Sequence, residues 1–182
     1  MNDLSLHILD ITQNSIRAGA TEIEIEVTED NSADKLTIEI SDNGQGIDQE
    51  LLEKVTDPFF STRTTRKIGL GLPLLKQNAV QCEGSLNIIS EKGKGTKVTA
   101  VFKKSHIDRP PMGNMAATIK TLFCSGLSYH LVYKHRVDIR EYVLDSREII
   151  EILDGLNVNT PKIANFIKEM TDENLKSIGA SY

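Results

Sequence analysis

The sequence predicts an α+β sandwich, one sheet covered on one face by helices, followed by a small C-terminal α/β appendage. Three observations carry this expectation. Residues 4–18 repeat their apolar positions at helical spacing. "TEIEIEV" and "KLTIEI" alternate apolar and polar residues on either side of a turn. A second series, "LPLLKQNAVQC" followed by "SLNIIS" and "TKVTAVF", repeats the order of helix and then hairpin.

In the first helix, Leu4, Ile8, Leu9, Ile11, Thr12 and Ile16 fall on one arc at 100° per residue. His7, Asp10, Asn14 and Arg17 fall on the other, where a solvent-facing position is expected for His7. Asn2 or Asp3 can cap its start, and Gly19 its end. "TEIEIEV" puts Ile23, Ile25 and Val27 on one face, "DNSAD" turns the chain, and "KLTIEI" returns it. "SDNGQGID" is a loop with two glycines, after which Asp48 can cap a short helix in "QELLEKV". "TDPFFSTRTTRKIGLGLP" is long, polar and glycine-bearing, the composition of a mobile loop. Pro73 is tolerated in the first turn of the next helix, and Gly84 ends it. "EKGKG" then joins the last two strands of this part.

"KKSHIDRPPMGN" stops both helix and strand, so the chain is divided into 1–105, a link at 106–114, and a unit at 115–182. In that unit "MAATIKTLFC" reads as a helix, and "LSYHLVYKHR" and "IREYVLD" as strands around a Val137–Asp138 turn. Ser146 is expected to cap "REIIEIL", and Thr160–Pro161 opens a final helix in N-cap and N1 fashion. The unit can fold alone or pack on the first part. Its nine Lys or Arg against ten Asp or Glu from residue 107 leave no basic footprint. Lys134, His135, Arg136 and Arg140 read as a solvated hairpin.

Composition narrows the function classes. A net charge of −5 argues against a general nucleic-acid or anionic-membrane surface. The two cysteines, Cys82 and Cys124, form no CxxC or Cys/His cluster, so neither a zinc site nor a disulfide framework is expected. That cysteine usage, with no signal-peptide pattern and no apolar run long enough to span a bilayer, points to the cytoplasm.

Asp10 and Asn14, four residues apart, share one helix face. A solvated stripe explains such a pair, and so does a metal and phosphate site: a carboxamide oxygen suits Mg²⁺, and a nearby carboxylate can deprotonate water or a hydroxyl. In "DNGQGI" a buried carboxylate such as Asp42 can accept from an exocyclic amine, and Gly44 and Gly46 let backbone approach a flat ligand. "GLGLP" exposes amides at a helix start to an anion, with Arg63, Arg66 and Lys67 just before it. Each signal alone is weak.

Taken in order over residues 3–103, the boxes around Asn14, "DNGQGI", "DPFFSTR", "GLGL" and "GKGT" resemble the GHKL family of ATP-binding proteins, which holds histidine kinases, DNA gyrase, MutL and the ninety-kilodalton heat-shock chaperones. The resemblance implies a Bergerat-type fold with a mixed sheet, and ATP and Mg²⁺ as ligands. It implies that Asn14 coordinates Mg²⁺ and that Asp42 hydrogen-bonds the adenine amino group. Gly44, Gly46 and Ile47 would line the adenine pocket, and Thr96 would fix adenine through water. Phe59 and Phe60 would open the ATP lid. Lys67 would meet phosphate charge, and Gly69, Leu70, Gly71 and Leu72 would offer amides to the phosphates. Arg17 falls where kinases carry a basic residue near the phosphates.

Asp10 falls where gyrase and MutL carry a Glu general base, and is shorter by one methylene, on the order of 1.5 Å of reach. No stretch matches a kinase phospho-acceptor box. The resemblance therefore implies a signal-transduction phosphotransferase acting on a partner protein. The alternatives are a slow ATPase switch controlling partner binding or dimerisation, and a non-catalytic nucleotide sensor. The expected partners are ATP and a protein, with a homodimer possible and neither nucleic acid nor membrane involved.

Overall fold

The structure, a computed structural model, describes residues 3–52, 71–125, 128–154 and 160–181. The first part of the chain supplies α1 (Leu4–Arg17), β1 (Glu22–Asp30), β2 (Lys35–Asp42), α2 (Gln49–Leu52), α3 (Gly71–Gln81), β3 (Ser85–Glu91) and β4 (Gly95–Lys103). The second supplies α4 (Met115–Phe123), β5 (His130–Val137), β6 (Arg140–Asp145), α5 (Ser146–Leu153) and α6 (Pro161–Ile178). Among the described residues the strands form one sheet in the order β3-β4-β2-β1-β5-β6. Only the β1–β5 pair is parallel, so the sheet is mixed, and the fold is the expected α+β class.

Period-2 patterning explains how the sheet sorts its faces. One row across it reads Ile88, Val98, Ile40, Ile25, Tyr133 and Leu144, the apolar side packed against helices. The neighbouring row on the other face reads Asn87, Thr99, Glu39, Glu26, Lys134 and Val143. There Glu26 faces Glu39 across the β1–β2 pair, a like-charge contact. Lys97 offsets it by pairing with Glu39 at 2.6 Å, and Arg136 by approaching Glu26 at 3.8 Å. The helix layer packs α1 against β2, α3 against β3 and β4, and α6 against β5 and β6, with α4 in contact with both α1 and α6.

Of the two ways the second part could fold, the structure shows it packed on the first. β5 runs along β1 from Glu22 to Glu29, and the core is shared. The 106–114 link is packed too: Leu4 and Ser5 donate backbone N–H to the carbonyls of Pro111 and Met112 at 3.0 and 2.8 Å, and Met112 is fully buried. At the far end of the sheet Glu29, also fully buried, gathers groups from both parts. It accepts from His135 Nε2 at 2.9 Å, from the Ser181 backbone at 2.7 Å and from the Ser181 hydroxyl, and it pairs with Lys104 at 2.9 Å. Burial pushes its pKa up, but the bonds from His135, Ser181 and Lys104 outweigh burial and hold it well below the usual carboxylate range.

Several local expectations change. The hairpin at residues 134–140 is not uniformly solvated. His135 is fully buried and bonded to Tyr133 Oη at 2.7 Å, Lys134 pairs with Glu24, and Arg136 pairs with Glu141. The solvated-hairpin expectation overlooked that β5 lies inside the sheet, with a neighbour on each side. Its turn is Asp138–Ile139, with Asp138 at φ 52°. α5 is capped by Asp145, whose carboxylate accepts from Arg147 N at 2.8 Å, not by Ser146, whose hydroxyl accepts from Leu131 N. Thr160 and Pro161 open α6 as expected.

Candidate nucleotide site

α1 forms because Asp3 caps it, accepting from Leu6 N at 2.9 Å, and because Leu4, Ile8 and Ile11 bury its apolar stripe. That stripe fixes the helix's rotation, and Asp10 and Asn14 are left half-buried on one face. Arg17 donates from Nη1 to the Asn14 carboxamide oxygen at 3.1 Å. Gly19, at φ 75°, takes the chain out of the helix one residue after the Ala18 cap.

Asp42 ends β2 and is held from two directions. Its Oδ1 accepts from Gly44 N at 2.9 Å, and its Oδ2 from Ser15 Oγ at 2.6 Å. Ser15 follows Asn14 on α1, so the carboxylate is pinned to the helix that carries Asp10 and Asn14. Each carboxylate oxygen has a second lone-pair site, which leaves capacity to accept from a ligand amine. Thr96 sits directly across from Asp42 in the β2–β4 register. Thr96 Oγ1 lies 2.8 Å from Ser90 Oγ, which accepts from Ile47 N at 2.8 Å and donates to Gly95 O at 2.9 Å. One serine thus joins the "DNGQGI" loop to the β3–β4 hairpin.

The glycines answer to that junction. A Cβ on Gly46, at φ 67°, would stand 2.1 Å from the Glu91 carbonyl oxygen, and one on Gly95 would stand 1.9 Å from the Asp42 carbonyl oxygen. Gly44 is buried, with Ala18 and the Asp42 carboxylate around it. Backbone meeting backbone, before any ligand, demands glycine at 46 and 95.

At the other end, Gly71 opens α3 and is buried, and Leu72 packs on the core. Phe60, Lys67, Gly69 and Leu70, with Phe59, Arg63 and Arg66, lie outside the described residues. His7 departs from expectation: it is 1% exposed, not solvent-facing. α3 packs over that part of α1, which a helical wheel of α1 alone does not register. His7 Nε2 lies 3.2 Å from Asn78 Nδ2 of α3, and His7 Nδ1 has no partner among the described residues. Burial pushes the His7 pKa down, with the Gly71 backbone opposing it.

The donor set fits the implied ligands. A carboxamide oxygen beside a carboxylate suits Mg²⁺, which keeps waters and shares phosphate oxygens. Among the described residues no group of three or more His, Cys, Asp or Glu gathers to hold a metal by itself, so such an ion would take further ligands from phosphate or water. Of the residues expected from the sequence, the structure ties Asp42 to Ser15 and brings Thr96 beside Ser90, two serines that the sequence did not single out. The one available signal was parity: Ser90 lies in a strand position that alternation assigns to the inner face.

The fold is a mixed sheet with a helix layer, in which Ser15 of α1 is tied to Asp42 at the head of the glycine loop. The chain belongs to the histidine kinase-, DNA gyrase B- and HSP90-like ATPase family, whose model matches residues 2–106. It is 33% identical over 103 residues to a putative sensor protein of Shewanella frigidimarina, covering 56% of this chain and 16% of that protein. It is 33% identical over 101 residues to sporulation kinase C of Bacillus subtilis (56% of this chain, 23% of the kinase). With the sensor protein kinase FleS of Pseudomonas aeruginosa it shares 37% over 95 residues (52% and 23%). The chain thus spans under a quarter of the length of these relatives. Among solved structures, the N-terminal domain of a DNA repair protein superposes with a TM-score of 0.56 at 15% identity, over 99% of this chain and 57% of that one, a likeness of fold.

Proposed function

We propose that the chain binds Mg-ATP and transfers the terminal phosphoryl group to a partner protein in signal transduction. The observation that carries this reading is the alignment on α1 of Asp10 and Asn14 with Ser15, which pins Asp42 at 2.6 Å. One helix thereby presents a phosphate and metal end and an adenine end. In this reading Asp42 accepts from the adenine amino group, and Gly44, Gly46 and Ile47 line the pocket, with Thr96 contributing through water. Asn14 would hold Mg²⁺, which when bound neutralises phosphate charge. Arg17 and Lys67 face phosphate charge, and the amides of Gly69 to Leu72 offer hydrogen bonds to it. Phe60 borders the lid. Asp10 is the general base that takes the proton from the attacking group. Residues 1–105 are the nucleotide-binding part, and 115–182 an interaction or dimerisation unit reached through 106–114. The cysteine usage supports a cytoplasmic setting, and no described helix is long and apolar enough to cross a membrane.

A second reading, a slow ATPase switch, is favoured by α4: it contacts α1, and its Thr118 Oγ1 donates to Ser5 O at 3.3 Å. A nucleotide-driven shift of α1 has a direct route into the second part. Incubation with γ-phosphate-labelled ATP, alone and with cell extract, decides. Label on another protein supports the phosphotransferase. Label released as free phosphate supports the switch. Label retained on ATP in both arms refutes turnover and leaves a sensor.

A further inference from the structure

Ser90, Thr96 and Asp42 stand in one row across β3, β4 and β2. By parity they share the face of Ile88, Val98 and Ile40, the side packed against the helices. Thr96 is directly opposite Asp42, so their Cβ atoms are about 5 Å apart. Ser15 reaches the row from α1, donating to Asp42 Oδ2 at 2.6 Å. Ser90 is 4% exposed, while Asp42 and Thr96 are half-buried. The two accessible members of the row are those that the nucleotide reading gives to the base, and Ser90 lies behind them.

Counting hydrogens fixes the direction of each bond in that row. The Ser90 hydroxyl has one hydrogen and two lone pairs. Its hydrogen goes to the Gly95 carbonyl oxygen at 2.9 Å, and one lone pair takes the Ile47 N–H at 2.8 Å. Thr96 Oγ1 lies 2.8 Å from the same oxygen, and the second lone pair is the place left for it, so Thr96 donates to Ser90. With its single hydrogen committed, Thr96 has lone pairs alone to offer a ligand. Asp42 offers the same: Gly44 N and Ser15 Oγ donate to it, and the free positions of a carboxylate are acceptors. Two acceptors therefore stand side by side across the β2–β4 pair, and a group held between them must bring the hydrogens.

We propose that Ser90 is the positioning residue that makes this site choose a 6-amino over a 6-oxo purine nucleotide: by taking the Thr96 hydrogen it keeps Thr96 an acceptor beside Asp42. The proposal rests on the nucleotide reading above. An exocyclic amino group, or a water that donates to Thr96, satisfies the pair, whereas a carbonyl oxygen in the same place meets acceptors on both sides. Without the Ser90 hydroxyl, Thr96 can turn its hydrogen toward the ligand and meet that carbonyl. The same hydroxyl holds the Ile47 amide, so one oxygen sets both the polarity of Thr96 and the position of the "DNGQGI" loop.

The test uses the full chain with Mg²⁺, ADP and inosine diphosphate, the counterpart that carries a 6-oxo group. Calorimetry should show the unsubstituted chain binding ADP at least about tenfold more tightly, because the 6-oxo group leaves the site's acceptors unpaired. In Ser90→Ala that ratio should fall toward one because inosine diphosphate gains affinity. An unchanged ratio, or one that falls only through weaker ADP binding, overturns the assignment in favour of a packing role. A smaller preference in the unsubstituted chain overturns it too, and leaves the nucleotide reading standing. Proton NMR on the unsubstituted chain keeps the question open to refutation if the Ala variant does not fold. The Thr96 hydroxyl proton should exchange slowly and show a nuclear Overhauser contact to the Ser90 methylene, with and without ADP. A freely exchanging proton, or one whose contact passes to the base when ADP binds, overturns the proposal. If the unsubstituted chain binds neither nucleotide, the nucleotide reading itself fails and this one with it.

Discussion

Replacing Asp42 with Asn separates binding from folding, because the structure shows how the fold accommodates the change. Asp42 uses one oxygen for Gly44 N and the other for Ser15 Oγ, at 2.9 and 2.6 Å. An Asn at that place keeps a carbonyl oxygen for Gly44 and turns its NH₂ toward Ser15. The serine hydroxyl can rotate from donor to acceptor, so neither neighbour is stranded. The stability cost is the difference between a charge-assisted and a neutral hydrogen bond, about 1 kcal/mol. A ligand amine meets something quite different. The charged acceptor is gone, worth about 1.5–3 kcal/mol, and a donor now points at a donor, worth about 1–3 kcal/mol more. The sum, about 2.5–6 kcal/mol, weakens ATP binding by roughly two to four orders of magnitude. Calorimetric titration with Mg-ATP measures the affinity, and a thermal melt of the same sample checks the fold. An Asp42→Asn chain that melts normally and binds ATP within threefold of the parent would refute the pocket assignment.

Three further outcomes are expected. Asp10→Asn should hold Mg-ATP within threefold of the parent and lower turnover of labelled ATP by about 10²-fold or more, the usual worth of a general base; unchanged turnover demotes Asp10 to a structural group. Gly46→Ala should destabilise the fold by more than the roughly 1–2 kcal/mol of a left-handed backbone alone, because the new Cβ meets the Glu91 carbonyl oxygen at 2.1 Å; a urea midpoint equal to the parent's would contradict the close approach. The depressed pKa of Glu29 means that its stabilisation is complete above the ordinary Glu value of 4.5 and is lost as pH falls toward the folded-state value. Thermal melts stepped down from pH 5 should therefore show a fall in Tm that Glu29→Gln flattens, and parallel curves would rule out Glu29 as the acid-sensitive group.

The parts of this fold that were legible in the sequence are those set by local periodicity. Alternation in β1 and β2 and the helical stripe of α1 are written in single segments, and both came through. The "DNGQGI" loop and Asp42 mark themselves as a run of special residues at fixed spacing, and the structure ties them to α1 through Ser15. What was not legible depended on partners distant in sequence. His7 looked solvent-facing on a helical wheel because α3, which buries it, lies more than sixty residues on. Ser15 and Ser90 are ordinary serines until β2 and the β3–β4 hairpin bring Asp42 and Ile47 to them. Gly44 and Gly46 were read as letting backbone approach a ligand, and the run that holds Gly95 as a hairpin turn. Close approach of backbone by itself requires glycine at two positions, Gly46 beside Glu91 and Gly95 beside Asp42, and that depends on strands distant in sequence.

The second part of the chain bears on function through the strand it accompanies. β1 is paired on both sides, with β2 from the first part and β5 from the second. Cutting at residue 105 would strip one side of β1 over Glu22–Glu29, and an exposed row of unpaired N–H and C=O groups invites association with other chains. It would also remove His135 and Ser181 from the buried Glu29 carboxylate, leaving Lys104 to face it alone. Removing one partner of a buried charged network costs about 3–5 kcal/mol, a large share of a domain's stability. Loss of partner binding in such a fragment would therefore report on the sheet before it reported on an interface. The informative substitutions are on outward-facing apolar side chains of the second part, Ile139, Ile152 and Phe166, which are 99%, 81% and 53% exposed and lie outside the packed core. If the second part recognises a protein, these side chains can be made polar without disturbing β1, and the nucleotide site on α1 then serves as the internal control for a folded chain.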